Sequence, residues 1–128
     1  MKKKILIVIA NYYDDISKGL ITSAKKELKS NIKLSTIYVP GVFEIPITIK
    51  KNIKKYDGFI ALGCVIKGQT PHFDFISKST TNAIMLLSIE HTKPIANGIL
   101  TCLNKNQATK RKNKGKEAAI ALKSVLSQ

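Results

Sequence analysis

Short aliphatic runs alternating with helix-length segments constrain this chain more than any other feature. Lys4–Ile9 reads Lys-Ile-Leu-Ile-Val-Ile, a continuous β-branched and aliphatic run that suits a strand covered on both faces. Asp14 and Asp15 then open a helix, because Ile16, Leu20, Ile21, Ala24 and Leu28 recur at spacings of three and four. The unit repeats. Ile32–Val39 predicts a second strand, broken by Pro40-Gly41, and a helix follows on Ile45, Ile49 and Ile53, with Pro46 tolerated in its first turn. Gly58–Ile66 predicts a third strand, followed by a helix that opens near Thr70 and carries Phe73, Ile76, Ala83, Ile84 and Leu87 inward. Pro94–Leu100 predicts the fourth strand. A short helix near Asn104–Arg111 and a last one over Lys114–Leu126 complete the pattern, the latter striped by Ala118, Ala119, Leu122, Val125 and Leu126.

Strands that alternate with helices pair in parallel, since each return crossover needs a helix and is right-handed. The expected product is a three-layer α/β/α sandwich on a four-stranded parallel sheet. At 128 residues, 44% of them apolar, the chain can close one core, so a single domain over residues 1–128 is expected.

In an open parallel sheet, ligands bind beyond the carboxyl ends of the strands. The informative positions are therefore few: Asn11-Tyr12-Tyr13-Asp14, Pro40-Gly41-Val42-Phe43-Glu44, the Gly63–Phe73 stretch, and Thr101-Cys102-Leu103-Asn104. These four sets are expected to converge on one rim. Thr70 reads as an N-cap and Pro71 as a first helical residue, leaving free backbone amides around Gly68, Gln69 and Thr70 beside Lys67. Such amides form an anion site, although a plain strand-to-helix turn has the same local sequence. His72 falls at the second helical position, where the helix dipole favours neutral imidazole; it suits a proton shuttle, or simple local packing. Tyr12 and Phe43 can stack on a flat ring or pack on the rim. Glu44 can accept from ligand hydroxyls or face its own helix N-terminus. No role is assigned to His91.

The charge excess is a lysine excess. Lys and Arg total 22 against 8 Asp and Glu, for a net charge of +14, and Arg111 is the sole arginine. Nucleic-acid readers use arginine for bidentate contacts, so lysines spread along the whole chain point away from nucleic acid and towards small anions. A lone arginine inside the basic segment 105–116 is either part of a solvated face or a planar fork kept for a phosphate. The basic start followed by an apolar run imitates a signal peptide, but the run is short and passes directly into Asn11-Tyr12-Tyr13-Asp14-Asp15. No membrane span is expected, and a cytoplasmic location is. Cys64 and Cys102 stand apart from each other and from any Cys/His cluster, so neither a metal site nor a disulfide framework is expected.

Four motifs occur in order: Val39-Pro40-Gly41-Val42-Phe43-Glu44-Ile45-Pro46, Ala61-Leu62-Gly63-Cys64-Val65-Ile66-Lys67-Gly68-Gln69-Thr70-Pro71-His72-Phe73, Pro94–Thr101, and Asn113-Lys114-Gly115-Lys116-Glu117-Ala118-Ala119. Together they resemble the 6,7-dimethyl-8-ribityllumazine synthase family over nearly the whole chain, with the second motif the most specific. The expected fold accordingly has flavodoxin-like topology.

The resemblance implies condensation of 5-amino-6-(D-ribitylamino)uracil with 3,4-dihydroxy-2-butanone 4-phosphate, releasing phosphate and water, with no metal or organic cofactor. It implies that Tyr12 stacks on the pyrimidine, that Val42, Phe43 and Glu44 line the ribityl chain, and that Cys64, Val65 and Ile66 offer backbone groups to the uracil edge. Gln69 and Thr70 would hold phosphate and His72 would move protons. Asn97 and Arg111 would arrive from a neighbouring subunit of a homopentamer, Arg111 on the phosphate, with Lys114 near the ligand. Gln69 stands where the family often has glutamate or alanine, and the segment between Arg111 and Asn113-Lys114-Gly115 is shorter than in most relatives. The competing readings are an archaeal-type riboflavin synthase and a non-catalytic flavin- or nucleic-acid-binding relative of the fold.

Overall fold

The computed structural model describes residues 2–29 and 31–128. Their backbone runs β1 (Lys3–Ala10), α1 (Asp14–Glu27), β2 (Ile32–Val39), a 3-10 turn (Val42–Glu44), α2 (Ile45–Lys51), β3 (Gly58–Ile66), α3 (His72–His91), β4 (Ile95–Cys102), α4 (Lys105–Lys110) and α5 (Lys114–Leu126). The four strands form one parallel sheet in the order β2-β1-β3-β4. This is the three-layer, flavodoxin-like sandwich expected from the alternation of patterns.

Burial explains why the two central strands are apolar throughout. Ile5, Ile7 and Ile9 of β1, with Ile60, Leu62 and Cys64 of β3, pack under α1 and α5 on Leu20, Ala24, Ala119 and Leu122. Leu6, Val8, Phe59 and Ala61 face the other way, onto Ile45, Ile49 and Ile84. Each fully buried Leu, Ile or Phe side chain contributes about 1.5–3 kcal/mol relative to exposure. The edge strands are less deeply covered, and β4 alternates buried Ala96, Gly98, Leu100 and Cys102 with more open Ile95, Asn97, Ile99 and Thr101.

The register creates a step at the carboxyl edge of the sheet. β1 and β2 end level, with Ala10 opposite Val39. The pairing of β1 with β3 stops at Ile9–Leu62, whereas β3 continues beside β4 to Ile66–Cys102. The segment Cys64–Ile66 therefore overhangs the end of β1 at Ala10, by roughly 10 Å at the usual strand rise. Past Leu62, the β3 edge that faces β1 has no strand partner, so its backbone groups stay available.

Two boundaries differ from the sequence expectation. α3 begins at His72, not near Thr70: Pro71 holds the cap position, its carbonyl accepts from the amides of Asp74 and Phe75, and the helix has no side-chain cap. His72 is thus the first helical residue. β4 runs on to Cys102 because backbone pairing with β3 continues irrespective of the polar Thr101 side chain.

Candidate active site

The step in the sheet is the wall of a cleft. Tyr12, Val42, Phe43, Glu44, Cys64, Val65, Ile66 and His72 line it together with Tyr13, Gly41 and Ile76, around a volume of about 580 Å³. Sites for small ligands have this size and this mainly apolar lining.

Local chemistry holds each side of the cleft in place. The buried Ser17 hydroxyl donates to the Ala10 carbonyl at 2.7 Å, and the Asn11 amide donates to Val39, so the turn carrying Tyr12 is pinned to two strand ends. Tyr12 is 75% exposed, and its ring meets Tyr13 edge to face with centroids 4.9 Å apart. An exposed ring supported from behind by a second ring is prepared for stacking. Opposite, Val42 is buried against Gly63, where an added Cβ would come within 2.9 Å of the valine methyl. Glycine at 63 is what lets the 3-10 turn settle on β3. Glu44 makes no capping hydrogen bond to its own helix; its Oε1 lies 3.1 Å from where a Gly41 Cβ would stand, turned back over the cleft wall.

Cys64 is buried and unbridged. Burial, with smaller contributions from Cys102 and Asp15, pushes its thiol up to about 12. It stays protonated at neutral pH and is no nucleophile there, so what it offers a ligand is its main chain on the open β3 edge. Burial also raises the Tyr13 hydroxyl, with Cys64 and Tyr12 adding to the effect.

Gln69 and Thr70 stand exposed in the loop between β3 and α3, beside the cleft rather than in its lining. Among the described residues, the amides of Gly68, Gln69, Thr70, His72 and Phe73 donate to no backbone carbonyl, while that of Lys67 is taken by Cys102. Uncommitted amides ahead of a 20-residue helix favour an anion. Gly68 is not required for an unusual backbone angle: its φ is not positive, and a Cβ there meets nothing within 4 Å.

β4 ends level with β3 on the same edge, at Ile66–Cys102, but the residues that line the cleft come from the first three strand ends. Arg111 and Lys114 lie in a separate groove of about 450 Å³ with Ile99, Leu100, Thr101, Lys110, Asn113 and Glu117, along the outer side of β4. Asn97 shares the face of β4 that carries Ile99 and Thr101, and its Oδ1 accepts from the Ile99 amide at 2.9 Å. The cleft and the groove thus lie on either side of β3.

Tyr13, Gly41 and Ile76 are cleft residues the sequence reading did not select. Tyr13 carried a readable signal, directly following Tyr12 at a strand end; Ile76 did not, being indistinguishable from core on its helix.

The fold and cleft define an α/β protein with a mainly apolar, small-molecule-sized site at the carboxyl ends of its strands. Residues 2–128 match the family model for 6,7-dimethyl-8-ribityllumazine synthase. Relatives bearing that name include those of Bartonella tribocorum, 43% identical over 94% of this chain and 87% of the relative, and Agrobacterium fabrum, 41% identical over 94% and 90%. Another, from Ruthia magnifica, is 37% identical over 98% of this chain and 84% of its own length. The chain belongs to the 6,7-dimethyl-8-ribityllumazine synthase family, transferases of riboflavin biosynthesis. Neither alternative weighed on the sequence is favoured.

Proposed function

We propose that the chain condenses 5-amino-6-(D-ribitylamino)uracil with 3,4-dihydroxy-2-butanone 4-phosphate in an active site shared by adjacent subunits. The observation that carries this reading is the division of the residues: a ring-sized cleft with an open β3 edge on one side, and Arg111 with Lys114 in a groove on the other. In the shared site Tyr12 stacks on the pyrimidine, and Val42, Phe43 and Glu44 receive the ribityl chain. Backbone groups of Cys64, Val65 and Ile66 take the uracil edge. The loop amides at Gln69 and Thr70 hold phosphate, and Asn97, Lys114 and Arg111 of the neighbour close the site.

The chemistry needs protons moved near neutrality. The pyrimidine amine attacks the C2 ketone and water leaves to give an imine; a proton is taken from C3 as phosphate departs from C4. The enol so formed takes a proton at C4 to become a methyl ketone; the second amine then adds to the C3 carbonyl and a second water leaves as the ring closes. His72 at the cleft rim is the group placed to take and return these protons. Uncommitted amides and a guanidinium stabilise the departing phosphate.

A homopentamer is the assembly we assign. It is supported by the large apolar side chains left open on α3, namely Phe75, Met85, Leu86 and Ile89, with Phe43 and Ile47 nearby on the same layer. Exposed apolar surface of this extent marks an interface. We place the enzyme in the cytoplasm, where buried free cysteines persist, and none of the described helices is long and apolar enough to cross a membrane. Mixing the purified protein with both substrates and following lumazine absorbance and phosphate release tests the reading. Product and phosphate should appear together, and a rate equal to the uncatalysed background rejects it.

A further inference from the structure

Three contacts join α1 to the short turn between α4 and α5. The Lys112 side chain lies across Gly19, with its Cδ, Cγ and Cβ at 2.5, 2.8 and 2.9 Å from where a Gly19 Cβ would stand. The Ser23 hydroxyl points at two carbonyls, that of Leu20 at 2.9 Å within its own helix and that of Lys112 at 3.0 Å across the interface. Gly115 is buried so tightly that a Cβ there would lie 2.0 Å from the Leu20 oxygen and 2.6 Å from the Ser23 hydroxyl. Gly19, the Ser23 hydroxyl and the Leu20 carbonyl on one face of α1 thus receive the Lys112 side chain, the Lys112 carbonyl and Gly115 at the start of α5.

We propose that this clamp makes Ser23 and Gly19 positioning residues for the phosphate-binding arginine. Lys112, the gripped residue, lies between Arg111 and Lys114, which face the groove along β4 on the other side of the turn. Holding the Lys112 carbonyl from behind fixes the direction in which Arg111 leaves the backbone. A long side chain that must meet an anion bidentately on another subunit converts a small backbone shift into a large error at its tip. The inference rests on the proposed role of Arg111.

The test uses the assembled enzyme and reads kcat and both KM values, thermal melting and assembly size for Ser23→Ala, Gly19→Ala, Arg111→Lys and the Ser23→Ala/Arg111→Lys pair. Ser23→Ala should raise KM for the phosphate substrate about three- to tenfold, leaving KM for the pyrimidine and assembly size unchanged. Gly19→Ala, which displaces the Lys112 stem but leaves the hydroxyl in place, should give the same signature. In the Arg111→Lys background, removal of the Ser23 hydroxyl should add nothing, because it acts through the guanidinium. A Ser23→Ala enzyme with normal KM beside an impaired Arg111→Lys enzyme, equal changes in both KM values, or additive effects in the pair overturns the clamp. Normal affinity in Arg111→Lys instead overturns the phosphate role of Arg111, and the inference falls with it.

Discussion

The cleft beyond β1, β2 and β3 and the groove along β4 are built from opposite materials. The cleft is walled by buried Val42, Cys64 and Val65, and its polar groups are few: one carboxylate, one imidazole, two phenols and an open backbone edge. The groove carries more charge, with Lys110 at the end of α4, Arg111 just after it, and Lys114 and Glu117 in the first turn of α5. A desolvated cleft can select a ring by shape and hydrogen bonding, whereas an open cationic groove can attract an anion but discriminate little by itself. They lie on opposite sides of β3, and under the proposed function the two would meet only across a subunit boundary.

Perturbations should separate the two regions. The largest effect belongs to proton transfer: His72→Ala should lower kcat by about 100-fold or more, with a modest change in pyrimidine affinity measured by equilibrium titration, and an unchanged rate removes its role. Next, Gly63→Ala should cost about 1–3 kcal/mol of stability in denaturant titration, since its methyl collides with Val42. The same variant should weaken pyrimidine binding while sparing the phosphate substrate; equal losses for both substrates contradict the separation. Arg111→Lys should show the converse, raising KM for the phosphate substrate by about tenfold through loss of a bidentate grip.

The smallest effect concerns pH. The Cys64 thiol is raised from its ordinary 9.0 to about 12, so in that interval the unfolded chain has released a proton that the folded chain retains. Stability is therefore fully present below pH 9 and declines as pH rises towards 12. Denaturation series between pH 8 and 11, run on the parent and on Cys64→Ala, should show a shallower decline in the variant. Identical slopes contradict the assignment to Cys64.

Legibility varied with how local each signal was. β3 is bounded in sequence by Asp57-Gly58 and by the polar loop after Ile66, and its span in the fold is the one its apolar run predicts. α5 behaves likewise, because its stripe and its start at Lys114 are local patterns. α3 misled: Thr70 has the chemistry of a cap, yet the backbone turns one residue later at Pro71. β4 was read short because Thr101 interrupts the apolar run, although ladder pairing takes no account of side-chain polarity. The four strand ends do share one edge, Cys102 lying level with Ile66, but the cleft draws its lining from the first three, and the groove runs along the outer side of β4.

Sequence alone determined the layered α/β architecture and the family, because hydrophobic periodicity and short motifs are properties of neighbouring residues. It also singled out Tyr12, Phe43, Glu44 and His72 from residue type and position. Tertiary structure alone decided which of these share a cleft, that Arg111 and Lys114 stand outside it, and that Ser23 and Gly115 grip the turn bearing them. Those outcomes depend on pairings such as Lys3 with Ile32 and Phe59 with Ile95, and on α1 meeting the turn before α5 at the Ser23–Lys112 bond, over a sequence separation of 89. Contacts over that separation are set by packing of the whole core, and no local pattern encodes them.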